Sequence, residues 1–93
     1  MEIFIISKKK LEVTHDATRA VYLQMILKKM SAENELAIQS NIGTSQLAEE
    51  IIDSLTRSTG WFLDKTEKKR VKDNILITEY ILRRTPAIEL RKD

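Results

Sequence analysis

Few side chains in this 93-residue chain are equipped for chemistry. The densest acidic group is Glu49-Glu50-x-x-Asp53, three carboxylates on one face if the segment is helical. Such a set can take part in holding a divalent cation, but a magnesium site draws further oxygen ligands from elsewhere in the fold. The later acids, Asp73 and Glu79, are embedded among Lys and Arg. His15 is the only histidine; it has no Ser or Cys partner signature and stands just before a helix start. A surface or capping role is expected of it. No cysteine is present, so there is no thiolate ligand, disulfide or cysteine nucleophile, and there is no Gly-rich phosphate loop. With no complete catalytic set, the chain is expected not to be an enzyme and to need no metal, cofactor or small-molecule substrate.

The second candidate surface is cationic. Lys69, Lys72, Leu76, Tyr80 and Arg83 recur at spacings of three, four, four and three, with Lys68 bordering them and Arg84 next in sequence. On a helix these residues form one strip that suits a phosphate backbone or an acidic protein surface. The plainer alternative is a solvated face, with Leu76 and Tyr80 packed beneath a neighbour. Charge is unevenly spread along the chain. Residues 1–30 hold six basic and three acidic side chains, residues 31–64 one and six, and residues 65–93 nine and five. These opposed fields fit packed helices that neutralise one another, or a basic surface awaiting an acidic partner.

The elements that must position these residues read as helices. Two Gly and one Pro are too few for the turns of an all-β fold, and only five aromatic residues are present, so Ile and Leu must carry the core. Helix A is expected from Asp16 to Met30. Ala20, Leu23, Ile26, Leu27 and Met30 line one side, and Ala17, Val21, Tyr22 and Met25 much of the other. A helix apolar nearly all round is buried on more than one side, which points to a homodimer or a larger host complex through Val21, Tyr22 and Met25. A short helix B follows over 32–40, capped by Ser31 and ended by Asn41 and Gly43. Helix C, 45–58, starts at Thr44 or Ser45, buries Leu47, Ala48, Ile51, Ile52 and Leu55, and stops at Gly60. Trp61 and Phe62 then either plug the end of the core or anchor a partner. Helix D opens on the Asp64-x-x-Glu67 capping pattern, buries Val71, Ile75, Thr78 and Leu82, and ends before Pro86. Residues 2–6, EIFII, read as a strand paired with 11–13 around Lys8–Lys10, or as the first turns of a helix.

The expected fold class is therefore all-α. It is a single domain, 1–93, formed by a small antiparallel helical bundle of three to four helices, with an N-terminal segment 1–13 as a short strand or hairpin and a frayed tail at 87–93. A helix-turn-helix reader built from helices B and C is disfavoured, because Glu49, Glu50 and Asp53 would face phosphate. No signal peptide or membrane span is seen, so a soluble, cytoplasmic protein without membrane insertion is expected.

Two resemblances add to this reading. Glu49-Glu50-x-x-Asp53 resembles the acidic pattern of the all-α nucleotide pyrophosphohydrolases, but the second acidic pair that completes their magnesium site is missing. Residues 47–86, LAEEIIDSLTRSTGWFLDKTEKKRVKDNILITEYILRRTP, resemble the C-terminal helical region of type I restriction enzyme R subunits. There too an Ile/Leu-Ala-x-Glu helix leads into a Trp-containing turn and a basic helix ending in Leu-Arg. That resemblance implies a docking module without nuclease or motor residues. The function expected is a small non-enzymatic protein–protein interaction module, such as a regulator, inhibitor, immunity protein or assembly factor. The alternative is a nucleic-acid binder using the basic face of residues 68–84.

Overall fold

Residues 1–7 and 14–84 are described in the computed structural model of the protein. The chain runs β1 (Glu2–Ile6), α1 (His15–Met30), β2 (Glu35–Asn41), a 3₁₀ turn (Ile42–Thr44), α2 (Ser45–Thr59), β3 (Phe62–Val71), a tight turn (Lys72–Asn74) and β4 (Ile75–Arg83). The strands form one four-stranded sheet in the order β1-β2-β4-β3. β1 lies parallel to β2, which the intervening α1 makes feasible. β4 lies antiparallel to both β2 and β3.

The fold is thus mixed α/β, and the all-α helical bundle expected from the sequence is overturned. Two expected helices are strands. The segment given to helix B is β2, and its residues Leu36, Ala37 and Ile38 are all buried. The segment given to helix D is the β3–β4 hairpin. Its apolar spacing was ambiguous because β4 is buried on both faces: Tyr80 and Leu82 point to the helices, Ile77 and Ile81 to the other side. A strand apolar on both faces has no period of two to read. Ile75, expected in a core stripe, is half exposed. The hairpin turn is local chemistry. Asp73 and Asn74 take φ of 65° and 61°, left-handed values that Asp and Asn tolerate better than most residues.

Three expectations survive. α1 spans nearly the forecast range, although Thr14 rather than Asp16 caps it, accepting the Ala17 N–H at 3.1 Å. α2 follows the 3₁₀ turn, and Gly60 ends it in the left-handed conformation, φ 79°. β1 is a strand, but it pairs with β2. The pairing expected with 11–13, the Lys8–Lys10 run, Pro86 and the tail at 87–93 lie outside the described residues.

Both helices cover one face of the sheet. Ile26 and Met30 of α1 and Ala48, Ile51, Ile52 and Leu55 of α2 meet Phe4, Ile6, Leu36, Ile38, Tyr80 and Leu82 in one core, closed at the end by Trp61. The Tyr22 ring stands edge-on to Phe4 at 5.9 Å, and its hydroxyl donates to the Ser7 carbonyl at 2.8 Å. The opposite sheet face carries no element among the described residues. No helix of the described residues is long and apolar enough to cross a membrane.

The hairpin assignment has a test with opposite signs. Glycine in the interior of an exposed helix costs about 1 kcal/mol, whereas at a left-handed turn position it removes strain. Asn74→Gly is therefore expected to leave the urea midpoint unchanged or raise it; a clear fall would favour the helix.

Candidate interaction surfaces

The acidic face of α2 is largely spent inside the protein. Glu50 accepts from His15 at 2.7 Å and from Arg19 at 2.9 Å, and Arg19 also meets Asp16 at 3.1 Å. Hydrogen bonds from His15 and then Arg19 hold the Glu50 carboxyl below its ordinary value. Asp53 pairs with Arg57 at 3.2 Å, one helical turn on. Glu49 borders a shallow groove with Ile52, Thr56, Leu63 and Tyr80. Burial, followed by the charge of Glu49, pushes the Tyr80 phenol up. Among the described residues no group of three or more His, Asp or Glu side chains is gathered as a metal site.

The expected basic strip does not hold together, because alternate strand residues face opposite ways. Tyr80 is buried in the core. Arg83 bridges Glu35 on β2 and Asp64 on β3, the latter at 2.8 Å. Arg84 donates to the carbonyls of Met30 and Glu33, both at 2.8 Å, and stacks on the Trp61 ring at 5.1 Å. It thereby ties the end of α1 to the end of β4. Lys69 pairs with Glu79 at 3.1 Å on the open sheet face. Lys68 and Lys72 remain exposed and form no ion pair with a described residue.

Among the described residues Glu79 is the one buried carboxylate, 7% exposed, although it stands on the open face. Cross-strand pairing puts it directly opposite Glu67, a repulsive arrangement. The conflict is divided between two lysines: Lys69 takes Glu79, and Lys65 takes Glu67 at 3.5 Å. Gln39 donates to Glu79 at 2.8 Å from the neighbouring strand. That hydrogen bond, followed by Lys69 and opposed by burial, lowers the Glu79 pKa.

The expected dimer residues also separate. Trp61 is buried and plugs the core, and Tyr22 is half-buried against Phe4. Phe62 is half-buried on the open face beside Arg83. Val21 and Met25 face solvent, at 56% and 50% exposure. Met25 borders a feature absent from the sequence-based candidates, the edge of β1 that pairs with no described strand. Ile3 and Ile5 are 49% and 63% exposed there. A groove of about 510 Å³ runs beside the edge, lined by Glu2, Phe4, Met25, Lys28, Lys29, Ala32 and Glu33. The continuous apolar run Ile3, Phe4, Ile5 and Ile6 was the available signal for this edge.

The two sheet edges differ in kind. β3, at the far edge, presents Asp64, Lys65, Glu67, Lys68, Lys69 and Arg70, the charged guard that keeps a strand from pairing with strangers. β1 carries a single charge, Glu2, which Lys29 neutralises at 3.1 Å. No protein-family model matches the chain, and no curated protein or solved structure matches it.

The lowered pKa of Glu79 sets a pH dependence. Its ionised form stabilises the fold above the ordinary carboxylate value, and this is lost as pH falls through the depressed one. Gln39→Leu should be less stable than the parent near neutrality, with the gap closing towards acid. Urea titrations across pH 2–7 read it; a gap independent of pH would refute the assignment.

Proposed function

We propose that this chain is a non-enzymatic interaction module that works by strand addition. Its β1 edge pairs antiparallel with the β1 edge of a second copy, making a two-fold dimer with one continuous sheet. The observation carrying this reading is the contrast between the guarded β3 edge and the unguarded, apolar β1 edge. Exposed backbone N–H and C=O groups on such an edge are a ready template for another strand.

The choice of a second copy rests on self-complementarity. A two-fold axis at Phe4 sets Ile3 opposite the copy's Ile5 on the open face, and Phe4 opposite its own counterpart beneath the helices. No charge then meets a like charge along the strand, since Glu2 faces Ile6 of the copy. α1 lies over β1, as the Tyr22–Phe4 contact shows, so the two α1 helices approach in antiparallel fashion with Val21 and Met25 between them. Antiparallel helices also oppose their macrodipoles favourably. A homodimer interface uses the same patch on both subunits, and β1 with its flanking helix supplies one.

Light scattering across a dilution series tests this. The parent chain is expected to be a dimer that dissociates to monomer on dilution. Ile5→Lys places a charge on an exposed edge position without touching the core and should give a monomer at every concentration, with unchanged circular dichroism. A parent chain that is monomeric throughout, or a variant that dimerises normally, would remove the proposal. Pairing with an unrelated extended peptide in place of the copy would refute the choice of occupant.

A further inference from the structure

A second surface lies on the far side of the sheet from β1. The last pair between β2 and β4 is Asn41 with Ile77, whereas the hairpin continues through Leu76 paired with Arg70 and Ile75 paired with Val71 to the turn at Lys72–Asn74. It projects about 10 Å beyond β2 at the usual rise of a strand. Of the described Lys and Arg side chains, only Lys28, Lys68, Arg70, Lys72 and Arg84 lack a carboxylate partner. Arg84 is engaged by carbonyls and Trp61. Three of the remaining four therefore sit on this arm or at its root. Lys68 and Arg70 share one face, two residues apart, and Lys72 stands at the turn. Arg70 donates one guanidinium N–H to the Asn74 carbonyl at 2.9 Å, which steadies the group over the turn and leaves further donors free. The opposite face of the arm carries the exposed apolar pair Val71 and Ile75.

We infer that the hairpin arm is a binding site for duplex nucleic acid, with Lys68, Arg70 and Lys72 contacting backbone phosphates. A two-stranded ribbon is a shape that the major groove of a duplex admits. Unpaired cations gain most from phosphates, because binding releases condensed counterions without first breaking an internal ion pair. With the Lys68–Arg70 face turned to the duplex, Val71 and Ile75 point away from it. Asp73, the one carboxylate at the turn, limits the affinity. A site of this kind reads backbone and groove shape, with little sequence preference.

Fluorescence anisotropy with a labelled 20-base-pair DNA duplex, titrated with the intact protein at several salt concentrations, tests the inference. Three phosphate contacts predict a slope of log K against log salt near −2.7, or a loss of about 40-fold between 50 and 200 mM salt. Lys68→Ala with Arg70→Ala and Lys72→Ala should flatten the slope while circular dichroism is unchanged. If the triple variant misfolds, each single substitution is expected to reduce the slope by about 0.9. Lys28→Ala, away from the arm, should leave it unchanged. Absence of binding at 50 mM salt, or a slope indifferent to all arm substitutions, would overturn the inference. So would competition by a polyglutamate peptide as effective as unlabelled duplex, which would assign the arm to acidic polypeptides. The arm lies on the edge opposite β1, so the measurement has the same meaning whether the protein is monomeric or dimeric.

Discussion

Leu36 stands across from Leu82, and Ile38 across from Tyr80, on the antiparallel seam where β2 meets β4. All four side chains are buried beneath the two helices, and Ala37 and Ile81 are buried on the reverse side of the same seam. Everything else attaches to this pair of strands. β1 is held by β2 alone and β3 by β4 alone, so each outer strand has its register from the seam. The helices pack across it, and the turn residues at both ends are aimed by it. A shift of one residue would turn Glu79 and Arg83 under the helices in place of Tyr80 and Leu82, which makes the register expensive to slip.

Charge plays a different part. Most ionic groups are used to tie elements already brought together by packing: Glu50 joins the two helices, Arg83 gathers three strands, and Arg84 fastens the end of α1. These pairs are largely exposed, so each contributes little stability, but they leave few charges unmatched. The unmatched remainder is therefore informative. It collects on the hairpin arm, while the opposite edge of the sheet is nearly free of charge. One small sheet thus presents two chemically different ends.

The parts of the fold that were legible in sequence are those specified locally. α2 could be read because Leu47, Ala48, Ile51, Ile52 and Leu55 fall in one arc and Gly60 ends it. β1 was visible only as a short apolar run that suited a strand or the first turns of a helix. β2 and β4 were misread because each is buried on both faces, so their apolar residues fit a helical spacing as well as a strand. β3 was hidden by its edge position, which fills it with Lys and Glu, residues common on helices. Thr66, Val71, Ile75, Ile77, Thr78 and Ile81, all β-branched, were the counter-signal, together with Asp73-Asn74 as a turn. The cationic candidates followed the same error. The strip of helical spacing joins Lys68, Lys69 and Lys72, which the fold places on β3 and its turn, to Arg83, which the fold uses between Glu35 and Asp64.

Among the described strands, one of the two central ones is the last in the chain. β2 finishes at Asn41, but its partner β4 is complete only at Arg83. During translation at about 5–20 residues per second, the intervening 42 residues take roughly 2–8 s. For that interval a nascent chain displays β2 with one side unsatisfied and with apolar groups on both its surfaces. The order of synthesis therefore leaves one flank of β2 without its partner until the final strand enters between β2 and β3.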